Sequence, residues 1–191
     1  MSNRNLILLL AFFTLVGFPA VGYLIQFFFG NADIYEILRG EIHPATQILL
    51  GFPIGWIAAL LAKWIINQKF MVPVRMKYGN IIGELGLKNL DAIYISICAG
   101  VGEELLFRGA LQPMWGIWIT ALVFVALHGY LHPMDWRISV YGAYLTVVII
   151  GLGFMTLYWG IWAAAAAHTA IDIVLLRYLI QTPLIPSRDN D

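Results

Sequence analysis

Six apolar stretches limit what this chain can become: Leu6–Phe29, Thr46–Ile66, Ala92–Leu111, Met114–Leu131, Ile138–Leu157 and Ile161–Leu179. As a helix rising ~1.5 Å per residue, each can cross about 30 Å of hydrocarbon. Lipid offers the backbone no hydrogen-bond partners, so such stretches become helices. The first follows Arg4 and resembles a signal peptide, but its run is longer than a typical apolar core and no small-x-small cleavage site follows, so it reads as a helix. A soluble 191-residue domain could not hide a composition that is 61% hydrophobic and 12% charged, with a mean hydropathy of +0.80. The expectation is an all-α, single integral membrane domain over residues 1–191: a bundle of about six transmembrane helices, multi-pass in a bacterial or archaeal cell membrane.

The basic residues give an orientation. With the amino terminus inside, Arg4, Lys63, Lys69, Arg75, Lys77, Lys88, Arg137, Arg177 and Arg188 lie on or near the inner side, leaving Arg39 and Arg108 toward the outer side. That bias places both termini in the cytoplasm. The polar stretch from Asn67 to Asn89 becomes the main cytoplasmic loop, with an interfacial helix inside it. Pro113 and Pro133 bracket the fourth span, where a proline ends a helix at little cost. Tyr158-Trp159-Gly160 leaves almost no loop, so spans five and six form a tight hairpin. The run Ala163 to Ala167 lets a neighbouring backbone approach closely.

Within this apolar frame, Glu103 and Glu104 stand side by side, Arg108 follows one turn later, and two further spans carry His128 and then His168 with Asp172. An ionisable side chain at mid-bilayer costs roughly 2.5–3.5 kcal/mol on insertion scales, and such groups face a bundle interior or a wet cavity. Residues four apart share a helix face. Glu104 can thus pair with Arg108 while Glu103 points about 100° away, Phe124 shares a face with His128, and His168 shares one with Asp172. By helical rise, Glu103 and Asp172 each lie ~17 Å into their spans, which fits one cavity near mid-depth.

Several chemistries are excluded. A net charge of zero without a basic cluster gives nucleic acid no surface. There is no Gly-x-Ser-x-Gly, no His-Glu-x-x-His and no Gly-x-Gly-Asp. Cys98 is the single cysteine; a thiol nucleophile paired with a histidine is conceivable, but a lone cysteine more often serves as a small buried hydrophobe.

The segments Glu103-Glu104-Leu105-Leu106-Phe107-Arg108, Phe124-Val125-Ala126-Leu127-His128 and His168-Thr169-Ala170-Ile171-Asp172 together resemble the three-motif signature of the CPBP family. These are the glutamic intramembrane proteases related to the CaaX-processing endopeptidase, also called the Abi family. The resemblance covers roughly residues 91–179. The prenyl-protein branch carries Asn where this chain has Asp172; an ionised Asp cannot donate to an oxyanion, which favours a role for Asp172 in orienting His168. The resemblance implies an intramembrane endopeptidase needing no metal or other cofactor. Its substrate would be a membrane-associated protein or peptide at the cytoplasmic leaflet: a prenylated tail, a precursor peptide or a carboxyl-terminal sorting tag.

Peptide hydrolysis needs an activated water, a stabilised oxyanion and a proton for the leaving amine. Glu103 is the candidate general base, with His128 holding the same water. His168, positioned by Asp172, would donate to the oxyanion, and Glu104 with Arg108 would lock the third helix. Each residue also has a plainer reading: Glu104–Arg108 as a structural ion pair, His128 as an interfacial histidine, His168 as an interhelical hydrogen-bond donor, and Phe124 as packing. His43 and His132 read as ordinary, and Trp115, Trp136 and Trp159 as an interfacial belt. Two other function classes stay open: a metal site built from Glu104, His128, His168 and Asp172, and a non-catalytic role as transporter, scaffold or immunity factor. A proton-coupled transporter would more plausibly show repeated halves, and the sequence has no such repeat.

Overall fold

The computed structural model describes residues 2–30 and 33–182, and among them every regular element is helical. The elements are α1 (Asn3–Phe29), α2 (Ile34–Arg39), α3 (Pro44–Ile66), a 3₁₀ turn (Lys69–Met71), α4 (Val72–Glu84), α5 (Asn89–Leu106), a π-helical turn (Phe107–Leu111), α6 (Gln112–Leu127), α7 (Trp136–Tyr158) and α8 (Ile161–Ile180). Five helical units are long and apolar enough to cross a membrane: α1, α3, the composite 89–127 unit, α7 and α8. The protein is a multi-pass integral membrane protein. The Asn67–Asn89 stretch does contain a helix, α4. Arg188, counted in the basic bias, lies outside the described residues.

The third and fourth apolar stretches are one helical unit folded back on itself, and the fold is not at Pro113. Pro113 sits in the first turn of α6, where its missing N–H costs little, while the helix breaks at Gly116 with φ 76° and ψ 170°. If the helix were continuous, Glu103 and His128 would lie ~37 Å apart. Glu103 Oε2 and His128 Nε2 are 3.4 Å apart, so the chain reverses at Gly116. The returning limb, 117–127, is only ~16 Å long and stops at about half the membrane's depth.

The end of that limb is a Schellman cap. Gly129, at φ 74°, donates its N–H to the Ala126 carbonyl at 2.9 Å, and Tyr130 donates to the Val125 carbonyl at 3.2 Å. The Tyr130 carbonyl then lies where a side chain on Gly142 of α7 would be, so this turn is seated against α7 by the absence of that side chain.

Helix α8 is the centre of the bundle. It is flanked by α3, α5, α7 and α4, and Ala163 to Ile171 is buried without a break, as expected of a helix apolar on all sides. Gly51 and Gly55 of α3 face Ala163 and Ala167, and a Cβ on either glycine would run into the facing carbonyl. This is the small-residue contact that draws helices together in lipid. Gln47, fully buried, closes the top of this pair: its Oε1 accepts from the Trp162 N–H at 3.0 Å and its Nε2 donates to the Ile42 carbonyl at 2.6 Å. It thereby satisfies a donor left free at the start of α8.

Helix α1 lies parallel to α5 and is clasped at both ends. Arg4 holds Asp91 with two contacts of 2.7 Å, and Gln26 Nε2 donates to the Ala110 carbonyl, at 2.6 Å, inside the π-helical turn. Gly55→Leu is expected to force α3 off α8, costing about 1–3 kcal/mol or more as overpacking, read as lost monodisperse protein and a lower melting temperature in detergent. Gly151→Ala, where no atom lies within 4 Å of the new carbon, serves as the neutral control.

Candidate functional site

Four elements carry the site. Helix α5 presents Glu103 and Glu104, the π-helical turn presents Arg108, α6 ends on His128, and α8 presents His168 and Asp172. A π-helical turn inserts one residue into the α-helical register, and such turns recur at functional sites. Here it begins three residues after Glu104.

Glu104 has no exposure and has an ion-pair or hydrogen-bond partner beside each oxygen, of which the His168 contact is the formed hydrogen bond. Its Oε2 lies 3.1 Å from Arg108 Nε and its Oε1 lies 2.8 Å from His168 Nδ1. Arg108, 2% exposed, reaches across to α7 and donates from Nη2 to the Ile149 carbonyl at 3.2 Å. One turn on, Gln112 repeats the move onto the Gly153 carbonyl at 3.1 Å. The pairs 108/112 and 149/153 have the same four-residue spacing, so they fix the register of α7 against the 89–115 limb. The in-helix pairing of Glu104 with Arg108 is therefore present, and it is extended by a contact to His168 that spacing alone does not reveal.

Glu103 is placed differently. Its side chain is 14% exposed, and its Oε2 lies 3.4 Å from His128 Nε2 and 4.0 Å from His168 Nε2, with no formed hydrogen bond on that oxygen. Asp172 Oδ2 is 3.6 Å from His168 Nε2. The firmer hold on His168 thus comes from Glu104, and Asp172 is the looser neighbour on the opposite ring nitrogen. His128 Nδ1 lies 2.7 Å from the Phe124 carbonyl. A carbonyl can only accept, so that nitrogen carries a proton and Nε2 faces Glu103. Phe124 is 4% exposed and touches four neighbours: it stacks on His128 (4.3 Å between centroids), meets His168 (5.7 Å) and Phe107 (4.8 Å) edge-on, and lies under the Arg108 guanidinium at 5.2 Å. It is packing that also sets two imidazole planes.

These groups surround a chamber of about 210 Å³ whose polar lining is Glu103, His128, Tyr130, Tyr141, His168 and Asp172. Tyr130, Tyr141, Asp172 and Leu175 also line an adjoining apolar cavity of about 280 Å³ that extends under α4, along Met71, Val74 and Tyr78. The two tyrosines escape a motif reading because both look like ordinary aromatics in apolar sequence. The legible signal was Gly129, whose place just past a helix end predicts that the next residue turns back onto it. His43, read as ordinary, caps α3 by accepting the Ala45 N–H at 3.3 Å, and Cys98 is buried in the core. Among the described residues, no group of three or more His, Cys, Asp or Glu side chains has the spacing to close round a metal ion.

A bundle of apolar helices that gathers two glutamates, two histidines, an aspartate and an arginine defines a membrane protein with an ionisable chamber between its helices. Residues 86–174 match the family model described as Rce1-like, type II CAAX prenyl endopeptidase, so the resemblance drawn from the three motifs holds over a segment containing every candidate residue. YpbD, an uncharacterized protein of Bacillus subtilis (strain 168), is 32% identical over 83 residues, which is 43% of this chain and 42% of that protein. The match thus spans less than half the length of that relative. No solved structure gives a significant match.

Glu104→Gln is expected to destabilise the fold by about 3–5 kcal/mol, since it leaves the Arg108 charge buried and unpaired. Glu104→Gln combined with Arg108→Met should recover part of that loss in detergent melting curves.

Proposed function

We propose that this protein is an intramembrane endopeptidase, with Glu103 as the general base, acting on a membrane-associated protein or peptide. The observation that carries the reading is the pair of unlike carboxylates. Glu104, with no exposure, is ion-paired to Arg108 at 3.1 Å and hydrogen-bonded to His168 at 2.8 Å, whereas Glu103, one residue away and partly exposed, lines the chamber with its Oε2 3.4 and 4.0 Å from two imidazoles. A structural carboxylate is expected to be held as Glu104 is, and a base awaiting a water to be left as Glu103 is. The Rce1-like match over the same residues supports peptide hydrolysis as the reaction class.

In this mechanism a water bound between Glu103 and His128 Nε2 gives its proton to Glu103 as its oxygen attacks the carbonyl carbon. The carbonyl π electrons move to oxygen, forming the tetrahedral oxyanion. Collapse expels the amine, which takes the proton back from Glu103. His168, oriented through Nδ1 by Glu104 with Asp172 beside Nε2, stabilises the oxyanion from Nε2 when both ring nitrogens are protonated. Every step is completed by protein groups and water, so activity should survive EDTA and 1,10-phenanthroline; loss on chelation and return with Zn²⁺ would instead indicate the metal site.

The chamber adjoins the cavity under α4, at the membrane face where α1 begins and α8 ends. The basic bias puts that face in the cytoplasm, so the substrate enters from the inner leaflet. A prenylated tail, a precursor peptide and a carboxyl-terminal sorting tag are the substrate classes to separate.

Wild type and Glu103→Gln, made at equal levels in the native membrane, should differ in the termini of membrane-associated polypeptides seen by mass spectrometry. New termini found only with wild type locate the scissile bond. Identical termini with the phenotype retained in Glu103→Gln would indicate a scaffold, and identical termini with the phenotype lost a transporter.

A further inference from the structure

The chamber holds an excess of groups that accept hydrogen bonds. Glu103 and Asp172 are carboxyl groups, and each histidine has its Nδ1 proton committed, His128 to the Phe124 carbonyl and His168 to Glu104. In their neutral forms both imidazoles therefore turn a bare Nε2 toward the chamber. Backbone N–H groups of the surrounding helices are used within those helices. Arg108 is packed behind Phe124 and does not line the chamber. His168 can stabilise a tetrahedral oxyanion from Nε2 only while its ring is charged, whereas a neutral donor in the lining would do so at either charge.

The tyrosine hydroxyls are the neutral donors in the lining. Tyr130 is the better placed. Its ring lies parallel to His128, 5° between planes and 6.2 Å between centroids, and edge-on to Tyr141 at 5.5 Å. The Schellman cap after α6 and the Gly142 contact fix its backbone, so the ring is anchored as a substrate-facing group requires. Its hydroxyl has no hydrogen-bond partner among the described residues. A phenol keeps its proton at neutral pH and is therefore an O–H donor.

We infer that Tyr130 is a further catalytic residue of this site, donating its O–H to the oxygen of the scissile carbonyl as that oxygen becomes negative. This rests on the peptidase reading above. The bond is a hydrogen bond throughout: the phenol keeps its proton, while the proton from water passes to Glu103 and on to the leaving amine.

The test uses full-length protein in phosphatidylethanolamine–phosphatidylglycerol vesicles and an internally quenched peptide spanning the bond located by terminal mass spectrometry. Tyr130→Phe keeps the ring stack and removes only the hydroxyl. Its kcat should fall about 10²–10³-fold with KM within twofold and an unchanged melting temperature, while Tyr158→Phe, at an exposed ring away from the chamber, stays within threefold of wild type. Difluorotyrosine placed at position 130 should add an alkaline fall in kcat absent from wild type, a signature that a purely packing role would not produce. If Tyr130→Phe and difluorotyrosine at 130 both behave as wild type while Glu103→Gln is inactive, the role of Tyr130 is overturned and the peptidase reading stands. If Tyr141→Phe carries the loss instead, the assignment to Tyr130 is likewise overturned. If wild type produces no new termini at all, the peptidase reading falls and the Tyr130 role falls with it.

Discussion

The rest of the structure depends on one buried carboxylate. Glu104 binds Arg108 on one oxygen and His168 on the other, and Arg108 in turn engages a carbonyl of α7. Three limbs of the bundle (the α5 limb, α7 and α8) are joined through this side chain and its partner Arg108. In a medium that solvates neither charge, each partner makes the others tolerable, and removal of any one leaves a cost of several kcal/mol. The same network fixes which nitrogen of His168 carries a proton, so a structural necessity also sets the chemistry available at the chamber.

Around this centre, geometry is set by side chains that are missing as much as by those present. Gly51 and Gly55 let α3 lie on the alanine run of α8, and Gly142 admits the Tyr130 carbonyl. Close backbone approach leaves little room at those seams, and the open space lies instead where Glu103, His128 and Asp172 project. The apolar cavity under α4 continues that space toward the membrane face.

Much of this was readable in the sequence. The spans follow from apolar run length, and the clustering of Glu103, His128, His168 and Asp172 from helical spacing and rise, because both quantities are nearly constant along a helix. The reversal was misplaced at Pro113, since a proline in the first turn of a helix is as acceptable as one that ends it; a positive φ at Gly116 leaves no mark in composition. The π-helical turn, the Glu104–His168 contact and the Arg4–Asp91 clasp were invisible for a shared reason. Each depends on how two distant segments rotate against each other, which no single-segment periodicity encodes. Tyr130 entered the site through a turn rather than a motif.

The half-length limb from Gly116 to His128 has a consequence for hydration. The last carbonyls of that helix are met by its Schellman cap and by His128, but the irregular chain that leads from Gly129 back to the start of α7 carries further polar backbone within the bilayer. Hydrocarbon cannot accommodate such groups; they persist only against protein or water. The truncation of that limb therefore requires protein or water, not lipid, beside this part of the chain. Where water is what meets it, a reaction that consumes one water per turnover has its supply at the chamber without a separate conduit.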